Sequence, residues 1–278
     1  MLFVGGLTAL AAAVSAAVCV SGGCFAGPSW LWVLPLTFFG TFLAGLVLFF
    51  LMVLVMAAAV KMDGPFEEDN KFYRFVAEQV IDAVIFLMRI RISTSGMEKL
   101  PKEGRFLLVS NHRDDVDPAV LLHLCKKKDL VFISKRENDA KPVIGPFLRK
   151  IMCQPINREN DREALKTILK CIQLIKEDRH SVAVFPEGYI YDDLKLHRFR
   201  HGVFKIAQKA DVPIVVCTLR DTPEVLPRMK KLKSSRVEVR LLEVISAEEV
   251  KASSTVDLGD RIYEMMAADL GPDLVAQE

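Results

Sequence analysis

The stretch "SNHRDDVDP" (Ser110–Pro118) follows an apolar run with an imidazole and then three carboxylates before a proline. Two uses of that pattern compete. A solvent-exposed turn accounts for the acids. Asp117 directly before Pro118 also suits a helix N-cap, where a side-chain oxygen accepts from unpaired backbone N–H groups and proline is tolerated one residue later. Neither use accounts for His112. A carboxylate beside an imidazole fixes its tautomer and stabilises the imidazolium formed when it takes a proton. His112 is therefore a candidate general base and Asp117 its orienting partner, an arrangement that contributes about 10²–10⁴ in rate. A second acid stands in "VFPEGYIYDD" (Val184–Asp193), again after an apolar run. Proline removes a ladder donor and glycine favours a turn, so Glu187 and Gly188 belong at a strand end. A tight loop is the plain reading. The functional one is an acidic side chain and open backbone amides at a second strand end.

For these residues to meet, the chain must bring strand ends together. Strands are expected at Arg91–Thr94, Arg105–Ser110, Leu130–Ser134, Ser181–Phe185, Val212–Cys217 and Arg236–Val244. Helices are expected at Pro118–Lys127, about Asp161–Lys176 and Val203–Lys209. In the longest, Leu165, Ile168, Leu169, Ile172 and Ile175 make one apolar stripe. Alternating strands and helices indicate an α/β domain around a largely buried sheet. Ligands commonly bind such sheets at the ends of strands.

The rest of the chain divides sharply. Residues 1–60 contain no Asp, Glu, Lys, Arg or His, so all 37 basic and 35 acidic side chains lie between Lys61 and Glu278. Leu2–Val20 is just long enough to cross a bilayer at about 20 residues per crossing, and Leu34–Val60 is longer and more apolar. A helical hairpin over 1–60 is expected, with a single span as the other reading. A cleavable leader fits poorly, because the basic n-region is missing. Lys61, Lys71 and Arg74 then place the remainder on the cytoplasmic side of the cell membrane. Residues 61–88 comprise a polar linker (Lys61–Asn70) and an amphipathic helix. In that helix Phe72, Val76, Val80 and Val84 recur every fourth residue opposite Arg74, Glu78 and Asp82. Such a helix packs on the domain core or lies in the membrane interface, and spacing leaves both readings open. Residues 89–278 form the third unit. Six cysteines without a CxxC pair suit a reducing compartment and show no metal-ligand spacing. A net charge of +2 does not point to nucleic acid.

Taken together, the motifs resemble the 1-acylglycerol-3-phosphate acyltransferase family of glycerolipid acyltransferases. Asn111, His112 and Asp117 match its Asn-His-x4-Asp block. Lys135, Glu137, Pro142, Gly145 and Arg158 match the intervals of its second block. Phe185, Pro186, Glu187 and Gly188 match Phe-Pro-Glu-Gly, and Val212, Pro213 and Ile214 match its Val-Pro-Ile strand. The four blocks stand in family order. The resemblance implies a mixed sheet flanked by helices and acyl transfer from a thioester, on coenzyme A or acyl carrier protein, to a lysophospholipid hydroxyl. It implies no metal and no organic cofactor. It implies His112 and Asp117 as catalytic residues. Asn111, Arg113, Lys135, Arg158, Glu187, Gly188 and Tyr189 would then line the substrate site, with Arg158 on the acceptor phosphate. Beyond the substrates, the expected partner is the lipid bilayer. The departure lies at Tyr189 and Ile190, where the family usually carries Thr-Arg. One arginine expected on the phosphate is thus missing. That keeps open an acceptor without a phosphate monoester, another lysolipid or an acylated amino acid, beside lysophosphatidic acid. A lipid-binding protein without catalysis is the reading from a different class. It would have no need of the base.

Overall fold

The computed structural model describes residues 2–62 and 69–277. Most of the expected linker, residues 63–68, lies outside the described residues. Helices α1 (Leu2–Ser21) and α2 (Trp30–Ala58) pack against each other, and each is long and apolar enough to cross a membrane. Helix α3 (Lys71–Leu87) follows, its N-terminus capped by Asn70. Then come β1 (Ile90–Ser95), β2 (Leu107–Ser110), α4 (Asp117–Leu124), β3 (Leu130–Lys135), α5 (Ile144–Lys150), β4 (Gln154–Ile156) and α6 (Asp161–Lys176). The chain continues with β5 (Ser181–Val184), α7 (Lys205–Ala210), β6 (Ile214–Arg220), α8 (Val225–Lys230) and β7 (Ser235–Ile245). It ends with α9 (Ala247–Ala252) and α10 (Thr255–Leu270).

The strands form one seven-stranded sheet in the order β1-β7-β6-β2-β5-β3-β4, parallel except between β6 and β7. The fold is thus α/β with a mixed sheet flanked by helices, as expected. Its central strands are short, unbroken apolar runs because both faces are covered. All four residues of β2 and of β5 are buried. β2, β5, β3, β4 and β6 share one direction, so their C-terminal ends share one edge. The residues with candidate chemistry leave the sheet along that edge.

In two helices the inward face is not simply the apolar stripe. In α6 the buried side chains are Thr167, Cys171, Leu174 and Ile175, while Leu165 and Leu169 are exposed. The inward face is rotated from the apolar stripe and includes a threonine whose hydroxyl donates to the Pro155 carbonyl at 2.6 Å. In α3 the polar stripe faces inward. Arg74 pairs with Asp69 at 2.8 Å and donates to the carbonyls of Leu130 and Ile151 at 3.2 and 2.9 Å. Asp82, 1% exposed, bonds His123 Nδ1 at 2.7 Å and Lys126. Buried charges persist only when paired and hydrogen-bonded, as these are. The apolar residues Phe72, Phe75, Phe86 and Leu87 are consequently left on the outside.

Candidate active site

His112 stands two residues beyond β2. The residue between, Asn111, is fully buried, and its amide grips β6 from both sides. Nδ2 donates to the Leu219 carbonyl at 3.0 Å, and Oδ1 accepts from the Leu219 N–H at 2.8 Å. Asn111 was expected to touch substrate. Without exposed surface, it instead ends the strand and fixes the departure of the His112 loop.

Asp117 directs everything else in that loop. Its Oδ2 accepts from His112 Nδ1 at 3.0 Å, from the Arg113 N–H at 2.6 Å and from the Asp114 N–H at 2.9 Å. It does not cap α4. The capping position is Val116, and Asp117 is the first helical residue, with its carboxylate turned back to the loop. The capping role expected from sequence is not what it performs: its carboxylate ties the loop backbone and the imidazole together. The imidazole is stacked on Phe185 with ring centroids 4.1 Å apart and an interplanar angle of 12°. Its side chain keeps 14% exposure, and Nε2 makes no hydrogen bond among the described residues. With Nδ1 donating to a carboxylate, Nε2 is the unprotonated nitrogen, able to accept a proton.

Glu187 braces the same loop from β5. Its Oε1 accepts from the His112 N–H at 2.7 Å and its Oε2 from the His197 N–H at 3.0 Å. Burial pushes its carboxyl up to about 8, against the pull of those two donors and of Arg113. It was expected to line the substrate site. At 1% exposure it is a strut between the His112 loop and the segment that returns toward α7. Arg113 completes this bracing, its Nε donating to the Leu194 carbonyl at 2.8 Å. It is 8% exposed; burial lowers its pKa, while Asp117, Asp221 and Glu187 favour its charge. Its Nε is thus tied to the protein.

The remaining expected residues gather on the other side of His112, over β5, β3 and β4. Lys135 ends β3, exposed, and is the register partner of Ile156, two residues before Arg158. The Arg158 guanidinium lies 4.7 Å from the Tyr189 ring centroid and that of Arg200 lies 5.3 Å from the same centroid. Each contact is a cation–π interaction. Burial lowers the Arg158 pKa and Arg200 lowers it further, while Tyr189 and Glu137 oppose both. Gly188 allows this packing. Its φ is +84°, and a Cβ there would come within 3.1 Å of Arg200 Nε. Gly145 of the second motif has a comparable role, since a Cβ would stand 2.2 Å from the Asp139 carbonyl oxygen. It lets α5 abut the turn after Lys135.

Sequence reasoning missed one participant. Phe185, the floor under His112, enters the sequence reading only as a letter of the third motif. Arg200 has no motif position, and only its contact with Tyr189 places it in the site. The site as built offers an oriented imidazole on Phe185, with two guanidiniums on Tyr189, two residues past the Glu187 that holds the His112 N–H. That arrangement can deprotonate a hydroxyl on a molecule held by its negative charge.

Residues 91–220 match the family model described as Acyltransferase. The chloroplastic 1-acyl-sn-glycerol-3-phosphate acyltransferase LPAT1 of Arabidopsis thaliana is 32% identical over 187 residues, 66% of this chain and 51% of that protein. The 1-acyl-sn-glycerol-3-phosphate acyltransferase alpha of Bos taurus is 24% identical over 245 residues, 87% of this chain and 81% of that one. The chain spans about half the length of the plant and algal relatives it matches. Among solved structures, the 1-acyl-sn-glycerophosphate acyltransferase PlsC of Thermotoga maritima superposes with a TM-score of 0.60. It is 20% identical and covers 79% of this chain and 86% of its own.

Proposed function

Since the chain belongs to the 1-acylglycerol-3-phosphate acyltransferase family, we propose that it moves an acyl group from a thioester to the free hydroxyl of 1-acylglycerol-3-phosphate, giving phosphatidic acid for phospholipid synthesis. The observation that carries this reading is the His112–Asp117 pair at 3.0 Å, with Nε2 free and the Arg158–Tyr189–Arg200 group next to it.

In the proposed step, His112 Nε2 takes the acceptor hydroxyl proton as the oxygen attacks the thioester carbonyl carbon. The new C–O bond forms, the tetrahedral oxyanion collapses, and the C–S bond breaks. The imidazolium returns its proton to the departing thiolate. Asp117 holds the imidazole and stabilises its charged form throughout. Arg158 and Lys135 hold the acceptor phosphate, the guanidinium through paired, charge-assisted bonds. The step as written uses no metal and no organic cofactor.

Ile190 supports a second reading, because an isoleucine cannot donate to phosphate. The acceptor would then be a lysolipid or acylated amino acid without a phosphate monoester, contacted by Tyr189. Acceptor competition on the purified full-length protein separates the two. Lysophosphatidic acid is expected to outcompete lysophosphatidylcholine, lysophosphatidylglycerol and acylated ornithine. Acylation of one of these with no acylation of lysophosphatidic acid would reject the first reading.

For location, α1 and α2 support a membrane protein, and the exposed Phe72, Phe75, Phe86 and Leu87 of α3 would rest in the interface beside them. A cytoplasmic catalytic domain agrees with Lys61 and Lys71, whereas Arg74 is consumed by its buried pair with Asp69. A cysteine placed at exposed Lys251 should react with impermeant reagents only after the cytoplasmic face is opened; labelling of intact cells would reverse the orientation.

A further inference from the structure

The sheet order puts His112 near the middle of one edge, with cations on both sides of it. On the side of β5, β3 and β4 stand Lys135 and Arg158, assigned above to the acceptor, with Arg200 on the Tyr189 ring. On the side of β6, β7 and β1 a cleft of about 690 Å³ opens, lined by Arg91, Arg228, Arg236, Ser235, Asp221 and Glu224 among others. That volume lies within the roughly 300–1,000 Å³ typical of small-molecule sites. β7 runs antiparallel to β6 and parallel to β1, so the first residues of β7 and β1 lie beside the last residues of β6 and β2. The cleft therefore shares the edge of His112. Its far wall is three strands away, roughly 14 Å at about 4.8 Å per strand. Asp221 belongs to both regions: it lines the cleft and favours the charge of Arg113, whose N–H bonds Asp117.

Two of the three arginines of this cleft have no side-chain partner among the described residues. Arg91 and Arg236 are direct register partners on adjacent strands. Like charges directly opposite destabilise a sheet. Both are exposed, and neither forms an ion pair among the described residues. Arg228 donates from Nε to the carbonyl of Ser234, another lining residue, at 2.9 Å. The Ser235 hydroxyl is buried in the wall of the cleft without any hydrogen-bond partner. Three guanidiniums and an unused hydroxyl outweigh the two carboxylates, and the exposed Lys230, Lys231 and Lys233 follow close by in the chain. Guanidinium forks match phosphate oxygens in pairs. A transferase needs its second substrate on the side of the base that the first leaves free.

We propose that this cleft binds the phosphates of the acyl donor, a coenzyme A thioester, whose pantetheine arm runs along the strand ends past Asp221 to His112. The inference rests on the acyl-transfer reading given above. Three guanidiniums lining one cleft match the clustered phosphates of a nucleotide-linked donor, and use of an acyl carrier protein is the alternative that the test separates.

The test uses the full-length protein in detergent, wild type and the double variant Arg91→Gln/Arg236→Gln. Each is titrated with coenzyme A and with pantetheine, which lacks the phosphates. Wild type should bind coenzyme A at least tenfold more tightly than pantetheine, and the variant should lose at least tenfold in coenzyme A affinity, about 1.4 kcal/mol. In turnover the KM for acyl-coenzyme A should rise by the same factor, with the acceptor KM and the kcat at saturating donor unchanged. Because the titration needs no turnover, a protein that binds coenzyme A yet forms no product would fail the acyl-transfer reading alone. Equal binding of coenzyme A and pantetheine by wild type would overturn the inference. So would an unchanged Kd in the variant, including one that loses only its binding to anionic vesicles or its use of an acyl carrier protein.

Discussion

Asp117→Asn isolates charge from geometry. Asp117 Oδ2 receives three donors, His112 Nδ1 and the N–H groups of Arg113 and Asp114, whereas Oδ1 is buried and has no partner. An asparagine can leave its amide oxygen at the Oδ2 position and turn its NH₂ to the unoccupied side. The two backbone donors favour that choice, because the reverse would face them with N–H groups. The imidazole tautomer is thus retained and only the negative charge is lost. A unit charge about 4 Å from the imidazolium is worth about 4 kcal/mol at an effective dielectric near 20. Allowing for the hydrogen bond that remains, kcat should fall about 10²–10³-fold, less than the roughly 10⁴-fold seen when such a substitution imposes the wrong tautomer. The assay is initial-rate phosphatidic acid formation from a labelled thioester, with the melting temperature recorded in parallel. A kcat within a factor of three of wild type at unchanged melting temperature would refute the reasoning.

Arg158→Ala should raise the acceptor KM by about 10–100-fold, since one charge-assisted bond is worth on the order of 1.5–3 kcal/mol; steady-state kinetics with varied lysophosphatidic acid measure it. Asp82→Asn should cost roughly 2–3 kcal/mol, less than the 3–5 of a fully buried pair because Lys126 and His123 are partly exposed. Burial would raise the Asp82 carboxyl, but hydrogen bonds from Lys126 and His123 outweigh it and hold the carboxyl at about 2. Its contribution is present above the unfolded value and lost as pH falls through 2, so the variant's acid-denaturation profile should be the flatter one. Glu187 behaves oppositely, since its folded pKa of about 8 lies above the unfolded value. Stability should therefore decline as pH rises from about 4.5 to 8, and calorimetric scans of Glu187→Gln should show a smaller decline over that range.

The His112–Asp117 pairing was legible because the two are five residues apart, on either side of a strand–helix turn that the apolar pattern already located. Their neighbours were harder to read because burial is a tertiary property. Asn111 and Glu187 carry polar side chains next to a reactive histidine, and nothing local distinguishes a ligand contact from a bond to Leu219 or to the His197 N–H. Spacing alone left the inward face of α3 open, because Arg74 and Asp82 find partners far along the chain, at Leu130, Ile151, His123 and Lys126. Strand β4 has only three residues, one of them proline, too short for any period. The C-terminal helices were more accessible than the reading made of them: Ser246 with Glu249 forms a capping box, and Ser254 caps α10.

In the proposed mechanism His112 is the group that takes the acceptor proton. Its most direct test is the rate of acyl transfer by His112→Ala, in the full-length protein, with both substrates saturating. The ring is mostly buried on Phe185, so the melting temperature is followed alongside, and His112→Gln fills the space if alanine destabilises the loop. A fall of at least 10²-fold in kcat for both variants, with coenzyme A binding and fold retained, is expected. Turnover near that of wild type in either folded variant would contradict the account.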